Sequence, residues 1–281
     1  MTTVTSPAAV SGRISIRNVS KVYDPEGVNV LAVDNCSLEI AAGEFCVVVG
    51  PSWCGKTTLL NAIAGFHGIT SGSVELDGKA LCTAEFTTEP GSERMVVFQN
   101  GALFPWYTVL ENITYGPEVQ GRASARDAKR AASALLGELG LSGIAHRYPG
   151  EISSGMRRRV EIARALINDP KVLLLDEPFR AMDALTKGVV QEFLLQAYDR
   201  TQKTVFFITH DLEEALFLGT TVVIMTTRPC RVKKVIKVDF PRPRSYRVRS
   251  SQRYLELKEE VFDAVHEEAT KAFEAGEREL A

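Results

Sequence analysis

The segment Gly50-Pro51-Ser52-Trp53-Cys54-Gly55-Lys56-Thr57 fits the pattern G-x-x-x-x-G-K-[ST] and is followed directly by Thr58. A loop of this kind turns successive backbone N–H groups toward phosphate oxygens and adds the positive end of a helix dipole, so its chemistry is anion binding. Lys56 then reaches the β and γ phosphates of a nucleotide, and Thr57 offers a hydroxyl to Mg²⁺. The plainer reading is a glycine-rich turn that binds nothing. A second reactive element is Asp176-Glu177, two carboxylates that end the apolar run Val172 to Leu175. Asp176 is suited to stand near the metal, and Glu177 to polarise a water against the γ phosphate. A pair of helix N-terminal acids is the bland alternative. Together the two elements predict a P-loop NTPase with ATP and Mg²⁺ as its ligands.

The elements around them must place these groups. Phe45 to Val49 is a continuous apolar run that stops at Gly50, and Lys56 to Ala64 spaces Leu59, Leu60 and Ile63 as a helix does, giving strand, loop and helix in the order the phosphate loop needs. Further buried-strand signals at Val172 to Leu175, Val205 to Ile208 and Val222 to Met225 alternate with helical stretches, which predicts an α/β fold with a parallel sheet covered on both faces. Ile14 to Ile40 reads as an antiparallel β pair, and the chain from about 100 to 167 as a helical subdomain. Residues 1–12 read as a flexible leader, 13–240 as the main domain, and 241–281 as a Pro/Arg-rich linker with an amphipathic helix, its arginines either solvated or facing anionic lipid.

Composition narrows the class. The chain has 281 residues, 45% of them hydrophobic, with 33 Lys and Arg against 35 Asp and Glu, so it can bury a core and its net charge of -2 gives no reason to expect nucleic acid as a partner. No apolar run approaches the ~20 residues a spanning helix needs. The five cysteines have no C-x-x-C spacing, which argues against a disulfide framework or a zinc site.

With those two motifs in place, the order of the remaining ones resembles the ATPase subunits of ABC transporters, from Ile14 to about Pro243. Glu151-Ile152-Ser153-Ser154-Gly155-Met156-Arg157-Arg158-Arg159 is similar to that family's signature segment, which implies that Ser153 and Gly155 meet the γ phosphate of ATP bound by a second copy of the subunit. Gln99 resembles the Q-loop glutamine, near metal and attacking water; His210 the switch histidine that helps to orient that water; Asp183 the D-loop aspartate at the dimer interface; and Tyr23 the aromatic residue that stacks on adenine. The text Leu103-Phe104-Pro105-Trp106 and Thr227-Arg228-Pro229 resembles the nitrate, sulfonate and taurine importer branch. That resemblance implies transmembrane permease subunits as partners, a substrate-binding protein acting indirectly, a groove around Phe104, Pro105 and Trp106 for the permease, and residence at the cytoplasmic face of the inner (plasma) membrane.

Four positions depart from the family pattern. Trp53 stands where a glycine is usual, Ser154 replaces the first signature glycine, Arg180 a small residue, and Cys230 a glycine in an expected β turn. If position 53 requires φ > 0, a bulky residue is strained there by roughly 1–3 kcal/mol. The chemical groups are complete while the backbone that carries them is altered, so impaired turnover is the alternative expectation.

Overall fold

The computed structural model describes residues 11–24, 27–180 and 182–274. Of the expected leader, residues 1–10 lie outside them, whereas Gly12 is anchored, with Arg13 that follows it, by backbone N–H bonds to the Asp77 carboxylate at 2.7 and 3.0 Å.

The described residues open with β1 (Ile14–Tyr23) and β2 (Val30–Ile40), then β3 (Phe45–Val49), α1 (Lys56–Ala64), β4 (Ser71–Leu76), β5 (Lys79–Thr83) and β6 (Arg94–Val97). A helical stretch follows: α2 (Val109–Val119), α3 (Ala125–Glu138) and α4 (Ser154–Leu166). Strands and helices then alternate through β7 (Val172–Asp176), α5 (Ala184–Thr201), β8 (Thr204–Ile208), α6 (Leu212–Leu218), β9 (Thr221–Met225) and β10 (Val232–Lys237), and α7 (Gln252–Glu274) ends the described chain.

Two sheets result. One is antiparallel in the order β2-β1-β4-β5; the other runs β10-β9-β3-β8-β7-β6, parallel throughout except for β10 at its edge. The period-two geometry of a strand explains how the larger sheet is covered. Phe45, Val47 and Val49 of β3 face a core shared with α5 and α6, while Cys46 and Val48 face a second core shared with α1 and the antiparallel sheet. A strand buried on both faces has no polar side to spare, which is why β3, β7, β8 and β9 read as unbroken apolar runs.

Register decides what meets at the sheet's edge. Val48 pairs with Ile208, and Asp176 with the same Ile208, so the C-terminal ends of β3, β8 and β7 lie side by side. The crevice outside the carboxyl ends of parallel strands is where open α/β sheets bind ligands.

The Pro/Arg-rich segment after Asp239 is not a free linker. Arg242 pairs with Asp199 at 2.8 Å, and Arg244 donates to the carbonyls of Leu216, Phe217, Gly219 and Val238. Those carbonyls belong largely to the end of α6, whose last groups lack partners within the helix. Arg249 packs against the stacked rings of Phe217 and Tyr246. Arg242 and Arg244 thus close a helix end and Arg249 pairs with Glu213, whereas Arg247 and Arg253 stay exposed. Tyr254, Leu257 and Val261 then bury one face of α7 in the main core. No described helix is long and apolar enough to cross a membrane.

Candidate nucleotide site

The loop from Gly50 to Gly55 leaves β3 and enters α1 through a backbone that only certain residues accept. Gly55 has φ 120°, and a Cβ there would lie 2.6 Å from the Ala32 carbonyl and 2.8 Å from the Cys230 Cβ. Glycine is required by both conformation and space. Trp53 has φ 61°, in the left-handed region, with its indole largely exposed on the rim. The condition attached to position 53 is thus met: a bulky residue occupies a backbone that favours glycine. Among the four departures it alone does so. Ser154 opens α4, and Cys230, whose backbone bonds Ala32 and Asp34, is fully buried behind the loop.

Lys56 is buried, its ammonium donating to the carbonyls of Gly50 at 2.9 Å and Pro51 at 2.6 Å. Its Nζ is also 3.7 Å from the Cys54 Sγ. The Cys54 thiol is more acidic than usual because it is hydrogen-bonded to Cys230, with Lys56 beside it, while Cys230 is pushed the opposite way by the same bond and by burial.

The Thr57 hydroxyl donates to Asp176 Oδ2 at 3.0 Å. Burial raises the Asp176 carboxyl above its usual range, and the adjacent Glu177 charge works in the same direction. Glu177 is bound more fully. Its Oε1 lies 2.5 Å from His210 Nε2, its Oε2 accepts from Gln99 Nε2 at 3.0 Å, and Arg180 Nη1 stands 3.5 Å away. The hydrogen bond from His210 is the main cause of its lowered pKa, so this carboxyl is ionised at neutral pH. His210 also places Nδ1 3.2 Å from the Gly50 carbonyl, joining the ends of the three strands. Glu177 has φ 43°, a conformation an L-residue adopts only when its surroundings impose it.

A cleft of about 550 Å³ brings together Ser52, Trp53, Gly55, Lys56, Thr57 and Thr58 from the loop with Gln99, Glu177, Arg180 and His210. Asp176 lines the adjoining hollow beneath Gln99. Tyr23 reaches the edge, its hydroxyl 3.4 Å from Thr58 Oγ1. Ser153, Gly155 and Asp183 are not part of this cleft. Ser153 caps α4, Asp183 caps α5, and Gly155 is buried where α4 crosses Thr186 of α5, with no room for a Cβ.

Sequence reading gave no such role to the residues that brace the site. Arg158, buried in α4, donates to the carbonyls of Phe98 and Gln99 and pairs with Glu161 at 2.6 Å, tying α4 to the strand end that carries Gln99. Glu214 accepts from Thr209 and pairs with Lys187 at 3.0 Å, fixing the turn that holds His210. Asn112 is fully buried and ties the Phe104 to Thr108 loop together through four hydrogen bonds. A charged residue inside an apolar helix face was the available signal for Arg158; the other two gave none.

A phosphate loop, a strand-end carboxylate pair and a histidine on the neighbouring strand define a P-loop nucleoside triphosphatase. Comparison with known proteins narrows the class. Residues 33–180 match the family model described as ABC transporter. The chain is 42% identical to an uncharacterised ABC transporter ATP-binding protein of Methanocaldococcus jannaschii, over 92% of this chain and 94% of that one. It is 44% identical to the taurine import ATP-binding protein TauB of Rhizobium johnstonii, over 85% and 91%, and 43% identical to the bicarbonate transport ATP-binding protein CmpD of Synechocystis sp., over 90% and 89%. A solved dimeric ATP-binding cassette in a post-hydrolysis state with ADP and Pi superposes with a TM-score of 0.71 at 29% identity, covering 81% of this chain and all of that one. The chain belongs to the ABC transporter family, as an ATP-binding subunit with an ATPase fold.

The strained Trp53 has a measurable consequence. Since its indole is exposed, Trp53→Gly removes little packing, and relief of about 1 kcal/mol of misplacement in the loop raises hydrolysis by roughly 3- to 10-fold. Steady-state phosphate release from the purified chain measures it; an unchanged rate means that the loop reaches its working geometry despite the tryptophan.

Proposed function

We propose that this chain is the energising subunit of an ABC importer, working as a pair of copies under transmembrane permease subunits at the cytoplasmic face of the membrane, with a substrate-binding protein acting indirectly. Its solute is a small anion or sulfonate of the kind that the taurine and bicarbonate relatives are named for. The convergence of Lys56, Asp176, Glu177, Gln99 and His210 at the ends of four adjacent parallel strands carries the ATPase reading. In this reading residues 13–240 form the ATPase unit, with 100–167 as its helical part.

The residues present fit Mg²⁺. Asp176 is a buried carboxylate whose charge is met by one hydroxyl donor, and a hard cation prefers oxygen ligands of this type. Thr57, Asp176 and Gln99 would hold it, and bound Mg²⁺ neutralises charge on the β and γ phosphates. Glu177, ionised and steadied by His210 and Gln99, accepts a proton from the attacking water. Lys56 turns from its own loop carbonyls to phosphate oxygens. Ser153, Gly155 and Asp183, which stand outside the cleft of their own chain, are read as facing the nucleotide of a second copy. Beside Gln99, Phe104 stacks on Trp106 at 5.6 Å and meets Tyr115 edge-on at 5.1 Å, with Trp106 two-thirds exposed. An exposed aromatic cluster of this sort is suited to a protein partner, and we read it as the permease contact.

A nucleotide-binding subunit with weak turnover is the second reading, favoured by the left-handed backbone at Trp53. Calorimetric titration with Mg-ATP tests the basis of both. Saturable binding is expected, and Lys56→Ala weakens it by roughly 10- to 100-fold, the value of a charge-assisted contact. If the wild-type chain takes up no heat-producing ligand, the cleft is not a nucleotide site.

A further inference from the structure

We propose that Arg180 is a phosphate-sensing residue that lets the cleft distinguish ATP from ADP, its guanidinium being shared between Glu177 and the terminal phosphate of a bound triphosphate. This rests on the nucleotide reading of the cleft. Arg180 closes a tight turn after β7, its N–H donating to the Glu177 carbonyl at 3.1 Å, so the backbone holds its Cα close to Glu177 and within side-chain reach of the carboxylate. It lines the same cleft as Lys56, Thr57 and His210.

The contact it makes there is loose. Glu177 is already held by His210 at 2.5 Å and Gln99 at 3.0 Å, whereas Arg180 stands 3.5 Å away with its side chain 67% exposed. A charge-assisted N–H···O bond is ordinarily 2.7–2.9 Å, and an exposed pair contributes little. Glu177 is thus positioned without Arg180, and among the described residues Glu177 is Arg180's one ion-pair partner. A planar guanidinium has five donors and suits a phosphate better than a single carboxylate oxygen. The Arg180 charge also helps, after His210, to keep the Glu177 carboxyl low.

Geometry selects the phosphate it meets. A general base works within one water of the atom under attack, so the γ phosphorus lies about one water from Glu177. A group 3.5 Å from Glu177 Oε2 is therefore on the γ side of the cleft, whereas the β phosphate belongs to the loop N–H groups and Lys56. Removing Arg180 should cost ATP its contact and leave ADP's contacts intact.

The test titrates Mg-ATP and Mg-ADP into the full chain and its Arg180→Ala, Arg180→Lys and Lys56→Ala variants, with thermal melts to confirm folding. ATP is expected to bind Arg180→Ala about 5- to 10-fold more weakly while ADP changes less than about 2-fold, the low end for a charged hydrogen bond in an exposed place. Arg180→Lys regains part of the loss, and Lys56→Ala weakens both nucleotides. Equal losses for ATP and ADP in Arg180→Ala, no loss for either, or tighter ATP binding would each overturn the proposal while leaving the nucleotide site standing. A wild-type chain that binds neither nucleotide would remove both.

Discussion

Replacing Asp176 by asparagine is expected to make the protein more stable and, at the same time, to lower hydrolysis at least about 100-fold. The two effects share one cause. The carboxylate is buried at the end of β7, receives one hydroxyl bond from Thr57, and has the Glu177 charge beside it. A buried charge short of partners costs about 1 kcal/mol or more, and for a chain of this size each kcal/mol moves the melting midpoint by roughly 2–4 °C. Asparagine keeps an acceptor for Thr57 and removes the charge. Hydrolysis falls because a metal held through that carboxylate supplies several kcal/mol of charge stabilisation.

The pH dependence follows from the sign of the shift. In the fold the Asp176 carboxyl is raised above its usual range, so the chain is free of this penalty below the unfolded value near pH 4 and acquires it as pH rises through the folded value. The extra stability of Asp176→Asn is therefore present at neutral pH and shrinks toward pH 4. Glu177, whose carboxyl is lowered, contributes in the opposite sense, with stability lost as pH falls; it is present in both proteins and largely cancels from the difference. Paired thermal melts across that range measure this. A less stable variant at neutral pH would show that Asp176 is well satisfied in the fold. Because a ligand stabilises only the state that binds it, Mg-ATP should raise the midpoint of the wild type more than that of Asp176→Asn.

The groups that react were legible because their constraint is local. The loop from Gly50 to Thr57 and the Asp176-Glu177 pair each sit on one stretch of chain whose apolar strand is itself readable, and the strand order then brings His210 to Glu177. What sequence did not show depends on partners far along the chain. Arg158 meets carbonyls about sixty positions away, and Arg244 satisfies the end of α6 from outside the main domain as first drawn. Such residues carry no periodicity of their own, so a run of arginines reads as solvated until the helix end it closes is in view. Trp53 is an intermediate case: its departure from the pattern was visible, and the backbone angle that makes the departure matter was not.

Glu177→Gln separates binding from chemistry. Glutamine keeps nearly the same shape and can accept from His210, and Gln99 can turn its amide to match, so the strained backbone at this position is no harder to hold. What is lost is a base. General-base catalysis by a positioned side chain is worth roughly 10²- to 10⁴-fold, and hydrolysis should fall by that amount while Mg-ATP affinity stays within about 3-fold. Asp176→Asn, in contrast, lowers both, because the metal binds with the nucleotide. If the working unit is a pair of copies closed on ATP, Glu177→Gln should also accumulate as a dimer under Mg-ATP, seen as a doubled mass in light scattering, and return to the smaller species when ATP is replaced by ADP. Hydrolysis retained within about 5-fold of wild type would transfer the role of base away from Glu177 and leave His210, on the same face of the cleft, as the group that must take the proton.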